Sequence, residues 1–504
     1  MRVHQPGSHL TRPRDVKVDD WSWARTARRV AVLARLARPR YGRAALAMVA
    51  LLAAIATTLA PPYLAKVAID DGIRGGDLDL LTIVVAAFLG AGLLNWGASA
   101  VQLYFTAWVG ERVLADLRER LFSHLQRLSL GFYERNRAGA VISRLTNDVE
   151  ALDQLVTEGV TTLLQNSLTL IGSAIILFLL DWRLALAALA VFPLMSIATS
   201  IFRRRSARAY ARVREHLGSV TATLQEDVSG MRVVQAFTRE ERNEENFHRV
   251  NRSYRSANYE TVILNAYYFP FVDFLSSTAT AVVLGFGGYL VFDGSLTIGT
   301  LFAFIGYLAN FFDPVQQLSQ LYNTFLAAVA ALDKIIDVMD EEPEVVDQPN
   351  AKELPPIEGR VAFERVHFRY GNGPDVLHDI VLEVAPGTTV ALVGHTGAGK
   401  STMAKLIARF YDPRDGRITI DGHDLRDVTQ ESLRRQLGIV PQEGFLFAGT
   451  VRENIAFGRP DASAEEIAAA ARAVGAHEFV MKLEDCYETE VGERGARLSL
   501  GQRQ

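Results

Sequence analysis

Residues 389–411 read TVALVGHTGAGKSTMAKLIARFY, and Gly394–Ser401 within them fits the pattern G-x-x-x-x-G-K-[ST]. The apolar run before the pattern predicts a buried strand over Thr389–Gly394, and the spacing after it predicts a helix over Lys400–Tyr411. Glycines at such a turn let successive backbone N–H groups point at phosphate oxygens, and the helix start adds its positive dipole end. The stretch therefore predicts a nucleotide-binding P-loop in an α/β domain.

The residue types of this loop predict ATP and Mg²⁺ as ligands. Lys400 can reach the β- and γ-phosphates, and the Ser401 hydroxyl is placed to bind Mg²⁺. The predicted ATP-binding residues of the loop are Gly394, His395, Thr396, Gly397, Ala398, Gly399, Lys400, Ser401 and Thr402.

Six uncharged stretches upstream are long enough to cross a membrane, which takes about 20 apolar residues. They are Ala44–Ala65, Leu80–Gly110, Gly159–Leu180, Leu184–Phe202, Phe274–Phe292 and Gly294–Phe312. These spans predict an all-α transmembrane domain and exclude a soluble P-loop kinase or GTPase.

The loops between the spans predict the orientation. Residues 111–158 and 203–260 form long Arg-rich loops, whereas the other loops are short and carry little positive charge. Because positive charge concentrates in cytoplasmic loops, we expect a multi-pass protein of the cell membrane with both termini cytoplasmic.

Residues 1–43 hold eleven Lys or Arg against three Asp. They predict a basic segment on the cytoplasmic membrane surface, although a solvated tail fits the same composition.

Two ionisable residues, Asp273 and Asp313, fall at or near membrane depth. Burying a charge there is costly, so they face a cavity or a partner, or else they lie at the membrane boundary and are solvated. Several amide side chains could likewise line a translocation path or form hydrogen bonds between helices. They are Gln165, Asn166, Asn265, Gln316 and Gln317.

The predicted fold is multi-domain, with a six-helix transmembrane domain followed by an α/β P-loop ATPase domain. Strands are predicted at Arg360–Tyr370 and Val376–Val384, after a segment rich in Pro and Glu. The predicted boundaries are a basic segment at 1–43, the transmembrane domain at 44–338, a linker at 339–358 and the P-loop domain at 359–504.

The net charge of −4 argues against nucleic acid as a partner, and the single cysteine, Cys486, excludes an internal disulfide.

Five segments around the P-loop resemble the motifs of one family. They are Tyr370, Ile439–Gln442 (IVPQ), Gly449–Ile455 (GTVRENI), Glu490–Gly495 (EVGERG) and Leu498–Gln502 (LSLGQ). On these residues the chain resembles an ABC transporter of the exporter type, and the likeness covers nearly the whole chain after the N-terminal tail.

The resemblance implies a role for each motif. Tyr370 would stack on adenine, and Gln442 would contact Mg²⁺ and the attacking water. The signature residues Ser499, Leu500, Gly501 and Gln502 would cradle the γ-phosphate bound by the opposite subunit. Leu500 replaces the first glycine of the usual LSGGQ. The segments 143–150 and 226–240 resemble cytoplasmic segments near the docking contacts with nucleotide-binding domains.

The resemblance also implies a half-transporter that works with a second subunit, as a homo- or heterodimer with two shared ATP sites. Its substrate would be hydrophobic or amphipathic, whether a small molecule, a lipid or a peptide. Membrane lipids would surround the transporter. One alternative is an importer subunit, although importers generally keep the two domains on separate chains. Another is an ATP-binding membrane protein with a regulatory or degenerate, non-transport role.

In this family the Walker B strand and the catalytic glutamate follow the signature, and neither occurs before Gln504. We therefore expect the nucleotide-binding domain in these 504 residues to be C-terminally incomplete, with no complete catalytic set. Because no residue orients the attacking water, we also expect little ATPase activity from this chain by itself.

Overall fold

The computed structural model describes residues 38–441, 444–492, 495 and 497–503. Within helices, the side chains of Gln316, Ser319, Gln320, Tyr322, Asn323, Leu326 and Leu500 are not described. The chain divides into two compact units, residues 1–128 with 132–343, and residues 129–131 with 344–504. Most of the predicted basic N-terminal segment, residues 1–37, lies outside the described residues.

Helices account for the chain from residue 38 to residue 339. The α-helices are α1 Tyr41–Val67, α2 Leu78–Arg127, α3 Leu130–Arg135, α4 Ala138–Ser143, α5 Val149–Asp153, α6 Val160–Leu180, α7 Trp182–Leu189, α8 Phe192–Ser229, α9 Met231–Ala236, α10 Glu240–Phe292 and α11 Ile298–Met339. Segments of π-helix lie at Ala68–Ile73, Arg144–Asp148 and Gln154–Gly159, and a 3₁₀ turn at Arg38–Arg40 precedes α1.

Six helical segments among the described residues are long and apolar enough to cross a membrane. They are Arg38–Ile73, Leu78–Arg127, Ala138–Leu180, Trp182–Ser229, Glu240–Phe292 and Ile298–Val315. Each contains or overlaps one of the predicted spans, so the prediction of an all-α, six-helix transmembrane domain is confirmed. Several of the helices continue well past the apolar stretch into the Arg-rich segments 111–158 and 203–260.

Polar caps set where the spans begin on the short-loop side. The Asp77 carboxylate accepts a hydrogen bond from Leu80 N at the start of α2, and Asp181 accepts one from Leu184 N at the start of α7. The Thr297 hydroxyl caps α11 in the same way, by accepting from Thr300 N. These bonds satisfy backbone donors that a helix start leaves without partners.

The polar residues predicted near the membrane have different surroundings. Asn166 is buried, and its Nδ2 donates to Gln317 Oε1 at 3.1 Å, which joins α6 to α11. For this pair, hydrogen bonding between helices is what the structure shows. The side chains of Asp273 and Asp313 are both exposed. The Gln316 side chain lies outside the description.

The second unit contains a four-stranded antiparallel sheet. Its strands are β1 Val361–Arg369, β2 Asp375–Val384, β3 Asp415–Ile420 and β4 His423–Asp424, in the order β2-β1-β3-β4. Phe363 in β1 pairs with Leu382 in β2 on one side and with Ile418 in β3 on the other. The two strands predicted before the P-loop are thus confirmed. Strands β3 and β4 were not predicted.

Short helices complete this unit. They are α12 Lys400–Ile407, α13 Gln430–Arg434, α14 Val451–Ile455, α15 Ala464–Ala473, α16 His477–Val480 and α17 Leu500–Arg503. The inner face of the sheet packs on α12 and α13 through a core that includes Phe363, Leu406 and Leu433. A second, smaller core gathers Val451, Val480, Val491 and Leu498.

The prediction of a buried strand over Thr389–Gly394 is wrong. Residues 388–394 have no regular secondary structure, and the side chains of Val390, Leu392 and Val393 are exposed. An apolar run becomes a strand only when neighbouring strands accept its backbone hydrogen bonds. No described strand pairs with this run. The helix after it is confirmed, but it ends at Ile407 rather than at Tyr411.

The segment rich in Pro and Glu packs within the second unit for most of its length. Leu354 is buried in the same core as the sheet, and Lys352 forms a β-bridge with Val428. The backbone of Ile357 donates to Gln436 Oε1 at 3.0 Å. These contacts hold residues 352–357 against the domain that follows them.

Candidate nucleotide-binding site

The predicted P-loop lies between an extended run and the first turn of α12. Gly397 has φ +88° and Gly399 has φ +85°. These values lie in the left-handed region, which glycine adopts without the steric cost that a Cβ brings. The chain can therefore reverse tightly before Lys400, which is the first residue of the helix.

Gly399 has a second reason to lack a side chain. A Cβ at this position would lie 2.5 Å from Leu377 Cδ2, in the buried core of β2. At Gly397, a Cβ would have no heavy atom within 4 Å. The loop is thus pressed against the sheet at Gly399 and open at Gly397.

Lys400 folds its side chain over the loop. Its Nζ donates to Gly394 O and His395 O, both at 2.9 Å. Two backbone carbonyls hold the ammonium group beside the N-terminus of α12, where the helix dipole favours anions. The positive charge and the helix start are therefore next to each other, as binding of a phosphate requires.

Ser401 and Thr402 follow on the first turn of α12 with opposite exposure. The Ser401 side chain is exposed, whereas Thr402 is buried. The Thr402 hydroxyl forms a hydrogen bond of 3.0 Å with the Tyr370 hydroxyl. Ser401 thus offers its hydroxyl at the surface, and Thr402 connects the loop to the end of β1.

Tyr370 is held edge-on by two other rings. Its centroid lies 4.8 Å from that of Phe368 and 5.1 Å from that of Tyr411, with interplanar angles of 86° and 88°. Lys405 Nζ lies 5.7 Å from the Tyr370 centroid. The structure therefore brings the predicted adenine-stacking ring and the P-loop helix together. Lys405 and Tyr411 were not among the predicted site residues, because the sequence around them indicates only a helix.

The signature residues lie in a different part of the unit. Ser499 and Gln502 cap α17 reciprocally, because Ser499 N donates to Gln502 Oε1 at 2.9 Å and Gln502 N donates to Ser499 Oγ at 3.3 Å. Gly501 is exposed, and a Cβ on it would have no neighbour within 4 Å. The side chain of Leu500, which replaces glycine, lies outside the described residues.

Three of the resembling segments share the small core around Val451. Thr450 and Glu453 form a capping box at the start of α14. Val451 N donates to Thr489 O at 3.0 Å, and Val491 N donates to Gly449 O at 2.9 Å. The segments 449–455 and 490–495 are therefore joined to each other, and Leu498 of the signature packs on the same core.

Three residues of the predicted motifs lie outside the described part of the chain. They are Gln442, and Glu493 and Arg494 of the segment before the signature. The described residues just before Gln442 are exposed, with Val440 95% accessible. The P-loop and Tyr370 pack on one core of the unit and the signature packs on another.

Two family models cover most of the chain. Residues 44–315 match the ABC transporter transmembrane region, and residues 377–504 match the ABC transporter model. The chain belongs to the ABC transporter family. The match places the transmembrane and nucleotide-binding regions on one ABC transporter chain, which is the arrangement of an exporter-type half-transporter.

Individual relatives agree with the family models. The ABC transporter chain is 40% identical over 472 residues to the ATP-dependent lipid A-core flippase of Syntrophus aciditrophicus (strain SB), covering 94% of this chain and 78% of that protein. It is also 40% identical over 458 residues to a Bacillus subtilis (strain 168) protein named for multidrug export, the ATP-binding/permease protein YgaD. That match covers 88% of this chain and 78% of the relative.

A solved structure shows a similar fold. A bacterial Atm1-family ABC exporter with ATP bound has a TM-score of 0.74 to this ABC transporter chain and 32% sequence identity, covering 92% of this chain and 82% of that one. The multi-pass membrane architecture and the capacity of the ABC domain to bind nucleotide follow from the family.

Proposed function

We propose that this chain is one subunit of a dimeric exporter that uses ATP to move a hydrophobic or amphipathic substrate across the cell membrane. The observation that carries the proposal is the fusion of six apolar spans to a P-loop in which Lys400 begins a helix that Thr402 connects to Tyr370. The names of the relatives favour lipids or drugs as the substrate class. The basic loops favour an orientation with both termini cytoplasmic.

In the proposed site, the backbone of residues 394–399 and the Lys400 ammonium bind the β- and γ-phosphates of ATP. The Tyr370 ring stacks on adenine. The exposed Ser401 hydroxyl is a suitable hard oxygen ligand for Mg²⁺, and Gln442 is its proposed second protein ligand. Mg²⁺, when bound, would neutralise charge between the β- and γ-phosphates. The parts described here suit ATP binding. Orientation of the attacking water is assigned by resemblance to residues that follow the signature.

The signature is proposed to act on the ATP of a second subunit. Its separation from the P-loop core supports this arrangement, because the two motifs pack on different clusters within one chain. Ser499 and the exposed backbone around Gly501 would then close on the γ-phosphate held by the partner. ATP binding would favour the closed dimer, and hydrolysis would reset it, which shifts the population between two states of the membrane domain.

The tip between α8 and α10 is proposed to contact a nucleotide-binding domain in the assembled transporter. The short helix α9 and its flanks expose apolar side chains, with Val233 61% and Phe237 70% accessible. Exposed apolar groups of this size favour a protein contact over a solvated loop. The other segment that resembles a docking element is anchored in its own unit, because Asp148 pairs with Arg144 at 2.7 Å and with Lys334 at 3.1 Å.

ATP-driven uptake by inverted membrane vesicles tests the transport proposal. Vesicles containing the full-length protein should accumulate a fluorescent lipid or a hydrophobic dye when ATP is present, and its Lys400→Ala variant should not. A matched control is Lys482→Ala, at an exposed lysine of the same unit outside the P-loop. If ATP binds with normal affinity but no lipid, drug or peptide accumulates, the non-transport alternative is correct.

Cross-linking tests the shared ATP site. In a Cys486→Ser background, one subunit carries His395→Cys and the other carries Ser499→Cys. Disulfide formation between chains, favoured by ATP and absent when either new cysteine is missing, would support the proposed dimer. Cross-links that form only within a doubly substituted chain would contradict it.

A further inference from the structure

Two arginines lie close to the ring of one tryptophan where α1 begins and where the apolar part of α2 ends. The Cζ atom of Arg43 lies 3.8 Å from the Trp108 ring centroid, and that of Arg112 lies 5.4 Å from it. Both distances are within the range of cation–π attraction. We call these three residues the Arg–Trp–Arg stack, and it ties the start of α1 to α2.

The stack lies at the same end of two uncharged runs. Arg43 directly precedes the run 44–65, and Arg112 comes two residues after the run 80–110. Because α1 and α2 are consecutive helices that pack side by side, these ends meet at one membrane surface. Trp at the headgroup level and Arg beside it are typical of that depth. The position of the stack is therefore that of the lipid headgroups.

Neither arginine of the stack forms an ion pair with a carboxylate among the described residues. Arg40, one turn earlier, donates from both Nη atoms to the Asp116 carboxylate, at 2.8 and 3.1 Å. Arg43 and Arg112 have no such carboxylate partner among the described residues. Glu111 is adjacent to Arg112 in sequence but lies about 100° around the helix. Asp116 attracts Arg112 as well, but its two oxygens accept hydrogen bonds from Arg40, so the guanidinium donors of Arg43 and Arg112 stay without a carboxylate acceptor among the described residues.

We propose that the Arg–Trp–Arg stack binds the headgroup of an anionic phospholipid, such as phosphatidylglycerol. Guanidinium groups stacked on a ring keep their edge N–H donors available, and these match phosphate oxygens in a bidentate geometry. A net negative headgroup offers these donors a phosphate without adding a cation, whereas a zwitterionic headgroup adds a cation close to two guanidinium groups. The bound lipid would hold α1 against α2. This site does not depend on the proposed export function.

Native mass spectrometry of the full-length protein tests the proposal, with phosphatidylglycerol titrated into the detergent solution. Arg43→Ala and Arg112→Ala should each weaken the tightest lipid-binding step about fivefold, since one basic residue near an anionic surface contributes about that factor. The control is Arg118→Ala, an exposed arginine six residues further along α2. It should change the affinity less than twofold.

Three further measurements use a zwitterionic lipid, a soluble phosphate and a lysine variant. Phosphatidylcholine should bind more weakly than phosphatidylglycerol and should not respond to the variants. Millimolar glycerol phosphate should not displace the lipid. Arg43→Lys with Arg112→Lys should retain most of the binding, which guards against misfolding of the alanine variants. Equal losses in Arg118→Ala, displacement by glycerol phosphate, or unchanged binding in the double alanine variant would each overturn the proposal.

Discussion

Arg409 Nη1 lies 3.1 Å from Asp347 Oδ1, and the Arg409 side chain is only 1% exposed. The same guanidinium donates to Val428 O at 2.7 Å and to Asp412 Oδ1 at 3.2 Å. A buried arginine therefore joins the segment before β1 to the end of α12 and to the turn before α13. This network stabilises the domain that carries the P-loop.

We expect Arg409→Leu to lower the free energy of unfolding of the nucleotide-binding domain by about 3 kcal/mol. The substitution removes the arginine partner of two carboxylates and of a buried carbonyl, and breaking a buried charge network has a cost of this order. The measurement is pulse proteolysis of the full chain in detergent, across a urea series.

The matched control is Arg435→Leu. Arg435 also pairs with a carboxylate, Glu431 at 2.5 Å, but both side chains are more than 70% exposed. Exposed pairs contribute about 0–1 kcal/mol, so this variant should unfold close to the wild type. Equal losses in the two variants would show that burial of Arg409 is not what matters.

Gly399→Ala should reduce both nucleotide affinity and stability, whereas Gly397→Ala should mainly affect the loop. Both substitutions place a Cβ on a left-handed residue, which costs about 1–2 kcal/mol. Only at Gly399 does the Cβ also collide with Leu377. Equilibrium binding of a fluorescent ATP analogue and thermal unfolding measure the two effects separately. A normal unfolding midpoint for Gly399→Ala would contradict the collision.

Asp421 gives the second unit a dependence on pH. Its carboxylate accepts hydrogen bonds from the backbone N–H groups of Glu358 at 2.7 Å and Arg360 at 2.8 Å, with Gly359 at 3.2 Å from either oxygen. Burial raises the pKa of Asp421, but the backbone hydrogen bonds outweigh it and hold the pKa below its usual value. The stabilisation is thus present above the unfolded-state pKa of about 4 and is lost as pH falls through the folded-state pKa.

Asp421→Asn should therefore be less stable than the wild type at pH 7, and the difference should shrink toward pH 3. Asparagine suits the left-handed backbone of this position, φ +50°, so the substitution changes the charge without adding strain. Unfolding midpoints at pH 7, 5 and 3.5 provide the measurement. Asp461→Asn, at an exposed aspartate, should show no such trend. A constant difference across pH would rule out the carboxylate as its source.

The π-helical segment after α1 contacts the start of α11. Asp70 Oδ1 accepts from Gly299 N at 2.9 Å, and a Cβ on Gly299 would lie 2.6 Å from the Asp70 carboxylate and from Lys66 O. Gly299→Ala should therefore separate the two segments and lower the thermal midpoint in lipid nanodiscs. Asp70→Asn should cost less, about 1 kcal/mol, as a helix start loses its anion. Gly288→Ala in α10 has open space around it and is the control.

The parts of the molecule that could be predicted from sequence are those with a local signal. Long uncharged runs identify spans, and the glycine spacing before Lys400 identifies the loop. The run 389–394 also has a strong local signal, but a strand forms only with partners elsewhere in the chain, and no strand of the described residues pairs with this run. Arg409 has no local signal, because its partners Asp347 and Val428 lie 62 and 19 residues away. The sequence predicts that Arg409 lies on a helix, where an arginine is expected to be solvated, but the structure places it in the turn after α12 with those groups around it.

Two substitutions of Tyr370 distinguish its two proposed roles, which are stacking on adenine and supporting the P-loop through Thr402. Tyr370→Phe keeps the ring and loses only the 3.0 Å bond to Thr402, so ATP affinity should fall less than threefold. Tyr370→Ala loses the ring face, and we expect ATP to bind about tenfold more weakly, because stacking of one base contributes about 1–3 kcal/mol. Competition against a fluorescent ATP analogue measures both variants.

Inorganic triphosphate, used as a second competitor, identifies the cause. It has no base, so Tyr370→Ala should leave its affinity unchanged, whereas Lys400→Ala should weaken triphosphate and ATP alike. If Tyr370→Ala weakens both ligands equally, the tyrosine acts by holding Thr402 and the first turn of α12 in place. The adenine would then have to be recognised by other residues of the domain.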